Sequence, residues 1–189
     1  TTDIGPGNTL MDQYIQQHYK GLLFDKDGLI AQKGTINELL LAQLLDHSFF
    51  NDPFPKTTGP ELFNLSYLQA AQIQSNTMDA KPEDVVATLC SFSARAIIQA
   101  IHQLAIPLTN TTLYLSGGGL HHPGLVNELK QAFPLLPFAT TESLGIAPDA
   151  KEAVLFAILA NECVASSRPI NFGTNNGIPS IHMGKICLP

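Results

Sequence analysis

Residues 111–133, TTLYLSGGGLHHPGLVNELKQAF, decide the fold class of this chain. The β-branched and aromatic run at their start is typical of a buried strand and predicts one over residues 111–116. Three consecutive glycines end this strand. Pro123 then suits the first position of a helix, which is predicted over residues 123–133. A strand that passes through a glycine turn into a helix indicates an α/β protein.

Further helices surround this unit, and helix predominates. The apolar spacing predicts a second strand, over residues 136–139, and helices over about 8–19, 37–46, 82–105, and from Asp149 or Lys151 to 166. A further helix is predicted to follow Pro60 and to run through Ala71. Residues 49–59 form an unusually apolar connecting loop, which either folds back on the core or is covered by a partner. The residues from Ser167 onward are predicted to be loop with one short extended piece.

The composition points to one domain whose surface is poor in charge. The chain has 189 residues, of which 44% are hydrophobic and 14% charged. Globular proteins usually have about 25% charged residues, and the apolar content is sufficient for a packed core. We therefore expect part of the surface to lie against another lobe, another subunit or a ligand.

The charges and cysteines exclude several classes of protein. A net charge of −6 argues against nucleic-acid binding, because a surface that follows phosphates needs clustered lysines and arginines. No run of about 18 apolar residues predicts a membrane span, and residues 1–12 do not resemble a signal peptide. Three widely spaced cysteines without a CxxC pair favour buried free thiols in a reducing cytoplasm.

Two glycine-rich turns could bind an anion. The first, residues 3–8 (DIGPGN), comes directly before a helix, and the second, residues 116–119 (SGGG), lies between a strand and a helix. A helix N-terminus offers unpaired N–H groups and a partial positive charge, and glycine lets the backbone approach a ligand closely. Neither turn has the Walker A or GxGxxG pattern.

Asp3 gives the first turn a possible role in chemistry. Phosphoryl transfer needs a group that takes the proton from the attacking hydroxyl or water, and Asp3 stands just ahead of a donor-rich turn. An aspartate that caps the following helix fits the same position. From spacing alone both interpretations remain open.

Other polar residues give weaker signals. His121 and His122 lack a third metal ligand nearby and are interpreted as nucleotide-loop or solvent-exposed histidines. Lys56 could meet a sugar or a phosphate, or could simply be solvated. Asp25 begins a calcium-loop-like pattern that has no glutamate at its twelfth position, which indicates a turn. Cys90 lies on an apolar helix face and is interpreted as core packing rather than a nucleophile.

Blocks of sequence spread over essentially the whole chain carry a resemblance to a known family. They are residues 2–8 and 11–12, residues 55–59 and 61–64, residues 116–119 with His121 and Pro123, residues 140–141 and 144–146, and residues 149 and 151–153. In this order and combination, the chain resembles the anhydro-N-acetylmuramic acid kinase family.

The resemblance implies both a fold and an activity. The fold is the helix-rich C-terminal lobe of the ribonuclease-H-like ATPase fold of actin and hexokinase, with a sheet flanked by helices. Such kinases use ATP and Mg²⁺, and two lobes close around the nucleotide. This family cleaves the 1,6-anhydro ring of its sugar and phosphorylates O6, which gives N-acetylmuramic acid 6-phosphate for murein recycling in the bacterial cytoplasm. The resemblance also implies a homodimer.

The resemblance further implies roles for single residues. Asp3 matches the general base, which would activate a water to attack the anomeric carbon and free O6 to attack the γ-phosphate. Glu152 matches a glutamate near the sugar, although a buried glutamate that caps its own helix fits equally well. The residues that match the nucleotide site are Gly5, Gly7 and Asn8 for the second phosphate turn and, in a loop over residues 116–124, Gly117, Gly118 and Gly119 for the adenosine.

Two departures from the family pattern shape the domain prediction. The family has an aromatic-rich helix after the first turn, often with tryptophan, whereas here the helix reads Asp12-Gln13-Tyr14 and the chain has no tryptophan. The Gly-Thr-Ser turn and the Mg²⁺-binding aspartate of the family's first lobe are missing, so no metal ligand is assigned here. We therefore expect residues 1–189 to be a single C-terminal lobe that starts inside the catalytic motif and is inactive without its N-terminal lobe. The alternative is a non-catalytic nucleotide- or sugar-binding or regulatory module of the same fold, which would have no reason to keep Asp3.

Overall fold

Six α-helices and two short strands make up the regular structure of residues 1–104 and 107–165, which the computed structural model describes. In chain order they are α1 (Thr9–His18), α2 (Glu38–Leu45), α3 (Leu65–Gln74), α4 (Pro82–Gln103), β1 (Leu113–Leu115), α5 (Pro123–Ala132), β2 (Phe138–Thr140) and α6 (Lys151–Ala165). Short 3₁₀ turns lie at Lys26–Gly28, Ala31–Lys33, Ser48–Asn51, Leu108–Asn110, Gly118–His121, Thr141–Leu144 and Pro148–Ala150. Each predicted helix and strand is present, with bounds that differ by a few residues.

Asparagine side chains fix where two of the helices begin. The Asn37 side chain accepts hydrogen bonds from the backbone N–H groups of the second and third residues of α2. Asn64 does the same for α3. This cap explains why α3 begins at Leu65 and not directly after Pro60, since capping satisfies the first N–H groups of a helix.

The long helix α4 is the centre of the structure. Pro82 stands at its start, followed by Glu83 and Asp84, which favour the positive end of the helix dipole. The helix packs against α1, α2 and α5. By length and composition alone it could cross a membrane, but 72% of its apolar window is buried within the chain. We therefore interpret α4 as a core helix.

An aromatic cluster closes one side of this core. Its members are Phe49, Phe50, Phe63, Tyr67 and Phe92, whose rings meet mostly edge to face. Edge-to-face contacts stabilise aromatic pairs beyond the area that they bury. Phe49 and Phe50 come from the apolar connecting loop and are 5% and 2% exposed. Of the two alternatives for this loop, the structure shows the first, because it folds back on the core.

The described residues form two compact units. The first comprises residues 1–114 and 118–139 and holds α1 to α5, and the second comprises residues 115–117 and those from 140 onward and holds α6. In the second unit, several apolar side chains of α6 are exposed: Leu155, Phe156, Ile158 and Val164. The prediction of one lobe over residues 1–189 stays a prediction.

The strands form a two-stranded parallel sheet with the order β1-β2. The N–H of Leu113 donates to the carbonyl of Pro137 at 2.9 Å. Tyr114 is 43% exposed, so the expectation of a fully buried first strand is wrong. The helix-rich α/β class is confirmed. The predicted loop from Ser167 onward lies outside the described residues, as does Cys187. Cys90 and Cys163 are free thiols as predicted, but only Cys90 is buried, so the expected burial is wrong for Cys163.

The aromatic cluster predicts a large stability effect at Phe63, which is 1% exposed and contacts four of the cluster's rings. We expect Phe63→Ala to lower the free energy of unfolding by about 3–5 kcal/mol, because it leaves a cavity among poorly adaptable rings. Urea unfolding followed by circular dichroism measures this. Leu135→Ala is the matched control: Leu135 is 95% exposed, so a change within about 0.5 kcal/mol is expected. Equal effects for the two variants would contradict the assigned core.

Candidate functional site

The N-terminal turn, residues 3–8, is held at its start by the segment 55–59. The N–H of Asp3 donates to the carbonyl of Lys56 at 2.9 Å. The Thr2 hydroxyl accepts a hydrogen bond from the Lys56 N–H at 2.9 Å and lies 3.0 Å from the Lys56 carbonyl. These contacts join two segments that are more than 50 residues apart in sequence.

Helix α4 holds the other end of the turn. A Cβ atom placed on Gly5 would lie 2.9 Å from the Cβ of Ala96, so a larger residue at position 5 would force the turn away from the helix. Gly7 has a φ of 55°, a conformation that side chains disfavour. The Ser93 hydroxyl donates to the Gly7 carbonyl at 2.6 Å. The sequence of the turn therefore suits close packing on α4.

The Asp3 carboxylate is exposed and accepts two hydrogen bonds on one oxygen. The hydroxyl of Thr57 donates to Oδ2 at 2.8 Å, and the N–H of Thr58 donates to the same oxygen at 2.9 Å. These bonds, led by the one from the Thr58 N–H, hold the pKa of Asp3 below its ordinary value. Asp3 is therefore anionic at neutral pH. It does not cap α1, whose N-cap residue is Asn8, so the capping alternative is wrong.

Lys56 lies in the same segment, and its ammonium makes contacts within the fold. Its Nζ donates to the carbonyl of Phe49 at 2.6 Å and lies 4.5 Å from the ring centroid of Phe49 and 5.1 Å from that of Phe54. Burial lowers its pKa. Of the two alternatives for Lys56, the freely solvated lysine is therefore wrong, and the ammonium ties the segment to the aromatic cluster.

The structure brings parts of the two predicted glycine turns together in the first unit. Asn8 is the N-cap residue of α1, yet its side chain makes no capping hydrogen bond. It lies beside the second turn instead: a Cβ placed on Gly118 would be 3.4 Å from its Nδ2, and one on Gly119 would be 3.7 Å from its Oδ1. The Asn8 amide therefore stands where both turns meet.

Two of the predicted site residues belong to the second unit. The N–H of Gly117 donates to the carbonyl of Pro148 at 3.2 Å. Glu152 lies in the first turn of α6 and is exposed. Glu152 is therefore not the buried, helix-capping glutamate of the alternative, because its side chain is exposed.

A cavity of about 400 Å³ lies where the two turns meet. Its lining includes Asn8 and Gly118 together with Asp12, Asp25 and His122. This volume is within the usual range for small-molecule sites. From the sequence, Asp25 was interpreted only as a turn residue, Asp12 was only part of a block that matches the family, and His122 was a nucleotide-loop residue in only one of its two interpretations.

Asp25 and His122 form a buried polar pair in the wall of this cavity. Asp25 accepts hydrogen bonds from the N–H groups of Ile30 at 2.8 Å and Ala31 at 2.9 Å, and its Oδ2 lies 3.4 Å from Nε2 of His122. The prediction of a turn at Asp25 is thus confirmed. His122 is 3% exposed, so the solvent-exposed interpretation is wrong for this histidine. Within residues 1–104 and 107–165, no three His, Cys, Asp or Glu side chains cluster as a metal site.

Cys90 lies against the same histidine but is not a nucleophile. Its Sγ is 3.3 Å from Nδ1 of His122. Burial, helped by the charges of Glu128 and Asp25, raises the pKa of the Cys90 thiol to about 12. A thiol with this pKa is protonated at neutral pH and unreactive. The prediction that Cys90 serves core packing is confirmed.

Asp12 is the carboxyl group whose environment is least favourable to charge. Its Oδ1 is buried, with no hydrogen-bond partner in the described part of the chain. Burial, with a smaller contribution from the charge of Asp25, raises its pKa to about 6. The spacing in the sequence could have pointed to Asp12. It lies four residues after Asn8, the N-cap residue of α1, so both side chains are on the same side of the start of this helix.

The raised pKa of Asp12 predicts a pH-dependent stability. Folded Asp12 binds its proton up to about pH 6, whereas in the unfolded chain the pKa is 3.8. The free energy of unfolding therefore falls as the pH rises from about 4 to 6 and stays lower above it. We expect Asp12→Asn to stabilise the protein at pH 7 by about 1 kcal/mol, because solvent screens part of the unfavourable charge of this half-buried group, and by less at pH 4.5.

Thermal unfolding of both proteins at the two pH values measures this difference. Asp79→Asn is the matched control, because Asp79 is exposed and outside the cavity. An Asp12→Asn variant that is no more stable than the original at pH 7 would contradict the assigned environment of Asp12.

Comparison with known proteins agrees with the resemblance seen in the sequence. The family model described as anhydro-N-acetylmuramic acid kinase matches residues 1–183. Curated relatives with this name include proteins from Pseudoalteromonas atlantica, 50% identical over 100% of this chain and 47% of the relative, and Haemophilus influenzae, 38% identical over 97% and 50%. The chain thus spans about half the length of the curated relatives it matches. It belongs to the anhydro-N-acetylmuramic acid kinase family.

Proposed function

We propose that this chain is the C-terminal lobe of an ATP-dependent kinase that cleaves the 1,6-anhydro ring of anhydro-N-acetylmuramic acid and phosphorylates O6. The product is N-acetylmuramic acid 6-phosphate. The observation that carries the proposal is the Asp3 carboxylate, which is anionic, exposed and, among the described residues, anchored through Oδ2 by the Thr57 hydroxyl and the Thr58 N–H. The names of the relatives support the substrate.

In the proposed reaction, Asp3 acts as the general base. Its Oδ1 accepts a proton from a water molecule, and the water oxygen bonds to the anomeric carbon. The bond from that carbon to O6 breaks, O6 bonds to the γ-phosphorus of ATP, and ADP leaves. Because the pKa of Asp3 is lowered, it is a weak base. We infer that the proton moves late, when the new carbon–oxygen bond has made the water acidic.

The nucleotide is proposed to lie along the two glycine turns. Gly5, Gly7 and Asn8 precede the N-terminus of α1, whose N–H groups and dipole favour phosphate. The loop over residues 116–124 would lie against the adenosine through Gly117, Gly118 and Gly119. Support comes from the cavity of about 400 Å³, whose lining contains both Asn8 and Gly118.

Mg²⁺ accompanies ATP in kinases and neutralises charge on the phosphates. The described residues do not fit a complete Mg²⁺ site, since they contain no cluster of three or more candidate ligands. We assign the protein ligands of this ion to the N-terminal lobe, and no step of the proposed reaction depends on this chain binding it.

The proposed partners are an N-terminal lobe, the anhydrosugar and a second copy of the protein, in the bacterial cytoplasm. The exposed apolar residues of α6 and the low charge of the chain support the view that some of its surface is normally covered. Glu152 is proposed to lie near the sugar in the closed protein. Without the other lobe, we expect the chain to be inactive.

The proposal predicts that Asp3→Asn abolishes turnover but preserves ATP binding in the two-lobe protein. The amide keeps the shape of the carboxylate and cannot accept the proton, so we expect kcat to fall by a factor of at least about 10². Coupled ADP-release assays and calorimetry measure the two properties. Asp79→Asn, outside the site, should behave like the unchanged protein. Normal turnover by Asp3→Asn would contradict the role of the base, whereas absence of turnover in the unchanged two-lobe protein would favour the non-catalytic module.

The substrate has its own test. We expect ADP release by the two-lobe protein to depend on anhydro-N-acetylmuramic acid, because ring opening supplies the O6 nucleophile. N-Acetylmuramic acid, which lacks the anhydro ring, is the matched control and should not replace it. Equal ATP turnover with and without the anhydrosugar would contradict the proposed substrate.

A further inference from the structure

We propose that Thr57 is a positioning residue for Asp3: its hydroxyl determines which carboxylate oxygen faces the reacting water. This inference rests on the proposed function only for the role of the base. The hydrogen bonds that carry it are independent of that role.

Both donors converge on the same oxygen. The Thr57 hydroxyl and the Thr58 N–H lie 2.8 Å and 2.9 Å from Oδ2 of Asp3, and no hydrogen bond from the described residues reaches Oδ1. Two donors on one oxygen restrict rotation of the carboxylate about its Cβ–Cγ bond, whereas the backbone donor alone would leave it freer. The arrangement thus reserves Oδ1 as the acceptor for the water's proton.

The support for Thr57 comes from the core. Its neighbour Lys56 is tied to the carbonyl of Phe49 at 2.6 Å and to the Thr2 hydroxyl through its backbone. Phe49 belongs to the buried aromatic cluster. The hydroxyl of Thr57 is therefore held by a segment that is fixed at two points, although Thr57 itself is exposed.

The exposure of Thr57 distinguishes a positioning role from a role in core packing. Because Thr57 is exposed, replacing its hydroxyl by a methyl group leaves no buried cavity. The next residue provides a natural comparison, since the Thr58 hydroxyl is buried and has no hydrogen-bond partner in the described part of the chain. Only the backbone N–H of Thr58 contacts Asp3.

The chemistry gives the direction of the effect. A donor to Oδ2 stabilises the carboxylate more than the carboxylic acid, so losing the Thr57 hydroxyl raises the pKa of Asp3. It also lets the carboxylate rotate away from the productive geometry, and misplaced catalytic groups lose rate steeply. We expect kcat to fall by about 10-fold while the KM for ATP changes little, because Thr57 lies outside the proposed nucleotide turns.

The first experiment measures the pKa of Asp3 directly. In the full chain labelled with ¹³C at the aspartate carboxyl groups, NMR titration follows Asp3 in the original protein and in Thr57→Val, Thr57→Ser and Thr58→Val. We expect a higher pKa in Thr57→Val only, since serine keeps the hydroxyl and Thr58→Val keeps the N–H. An unchanged pKa in Thr57→Val, or an equal rise in Thr58→Val, would overturn the proposal.

The second experiment measures the pH profile of kcat/KM in the two-lobe protein. The acid limb should move to higher pH in Thr57→Val, return in Thr57→Ser and remain unmoved in Thr58→Val. A fall in activity without a shift of the acid limb would indicate a structural effect and refute the positioning role. Failure of the proposed function is distinguishable: Asp3→Asn would then remain active, while the NMR shift caused by Thr57→Val would persist.

Discussion

The hydrogen bond from Ser93 to the Gly7 carbonyl, made where Gly5 packs against Ala96, fixes the N-terminal turn on the central helix. The site depends on this contact because α4 is also the helix on which α1, α2 and α5 pack. Small residues are needed on both sides: a serine and an alanine on the helix, and glycines in the turn. The helix that forms the core therefore also sets the position at which the candidate catalytic turn begins.

A second connection links the aromatic cluster to the Asp3 carboxylate. Phe49 is buried in the cluster, its carbonyl holds the Lys56 ammonium, and the residue after Lys56 donates to Asp3. The lysine acts here through its length, which lets the ammonium reach an inward carbonyl while its backbone pairs with Thr2. These contacts form a continuous path from the buried aromatic cluster to an exposed carboxylate.

The sequence was a good guide to helices and a poorer one to polar partners. Apolar spacing located α4 because its pattern is long and regular, whereas the start of α3 depended on the cap at Asn64. The sequence motif pointed to Asp3 as a candidate base, but it could not point to its hydrogen-bond donors, Thr57 and Thr58. Hydrogen bonds between residues more than 50 positions apart leave no local pattern in the sequence. The solvent-exposed interpretation of His122 was wrong because this histidine packs beside Asp25, which is distant in sequence.

The carboxyl groups of Asp25 and Asp12, which line the cavity, show where burial of polar groups lowers the stability of the fold. Asp25 is satisfied by two backbone N–H groups and stands beside His122, so its burial is largely compensated. Asp12 has no such compensation for Oδ1, and the neighbouring charge of Asp25 adds to the cost of ionising it. An asparagine at this position would avoid the cost of the charge at neutral pH. A destabilising group of this kind is typical of binding sites, where stability is traded for function, and it lies where the two glycine turns meet.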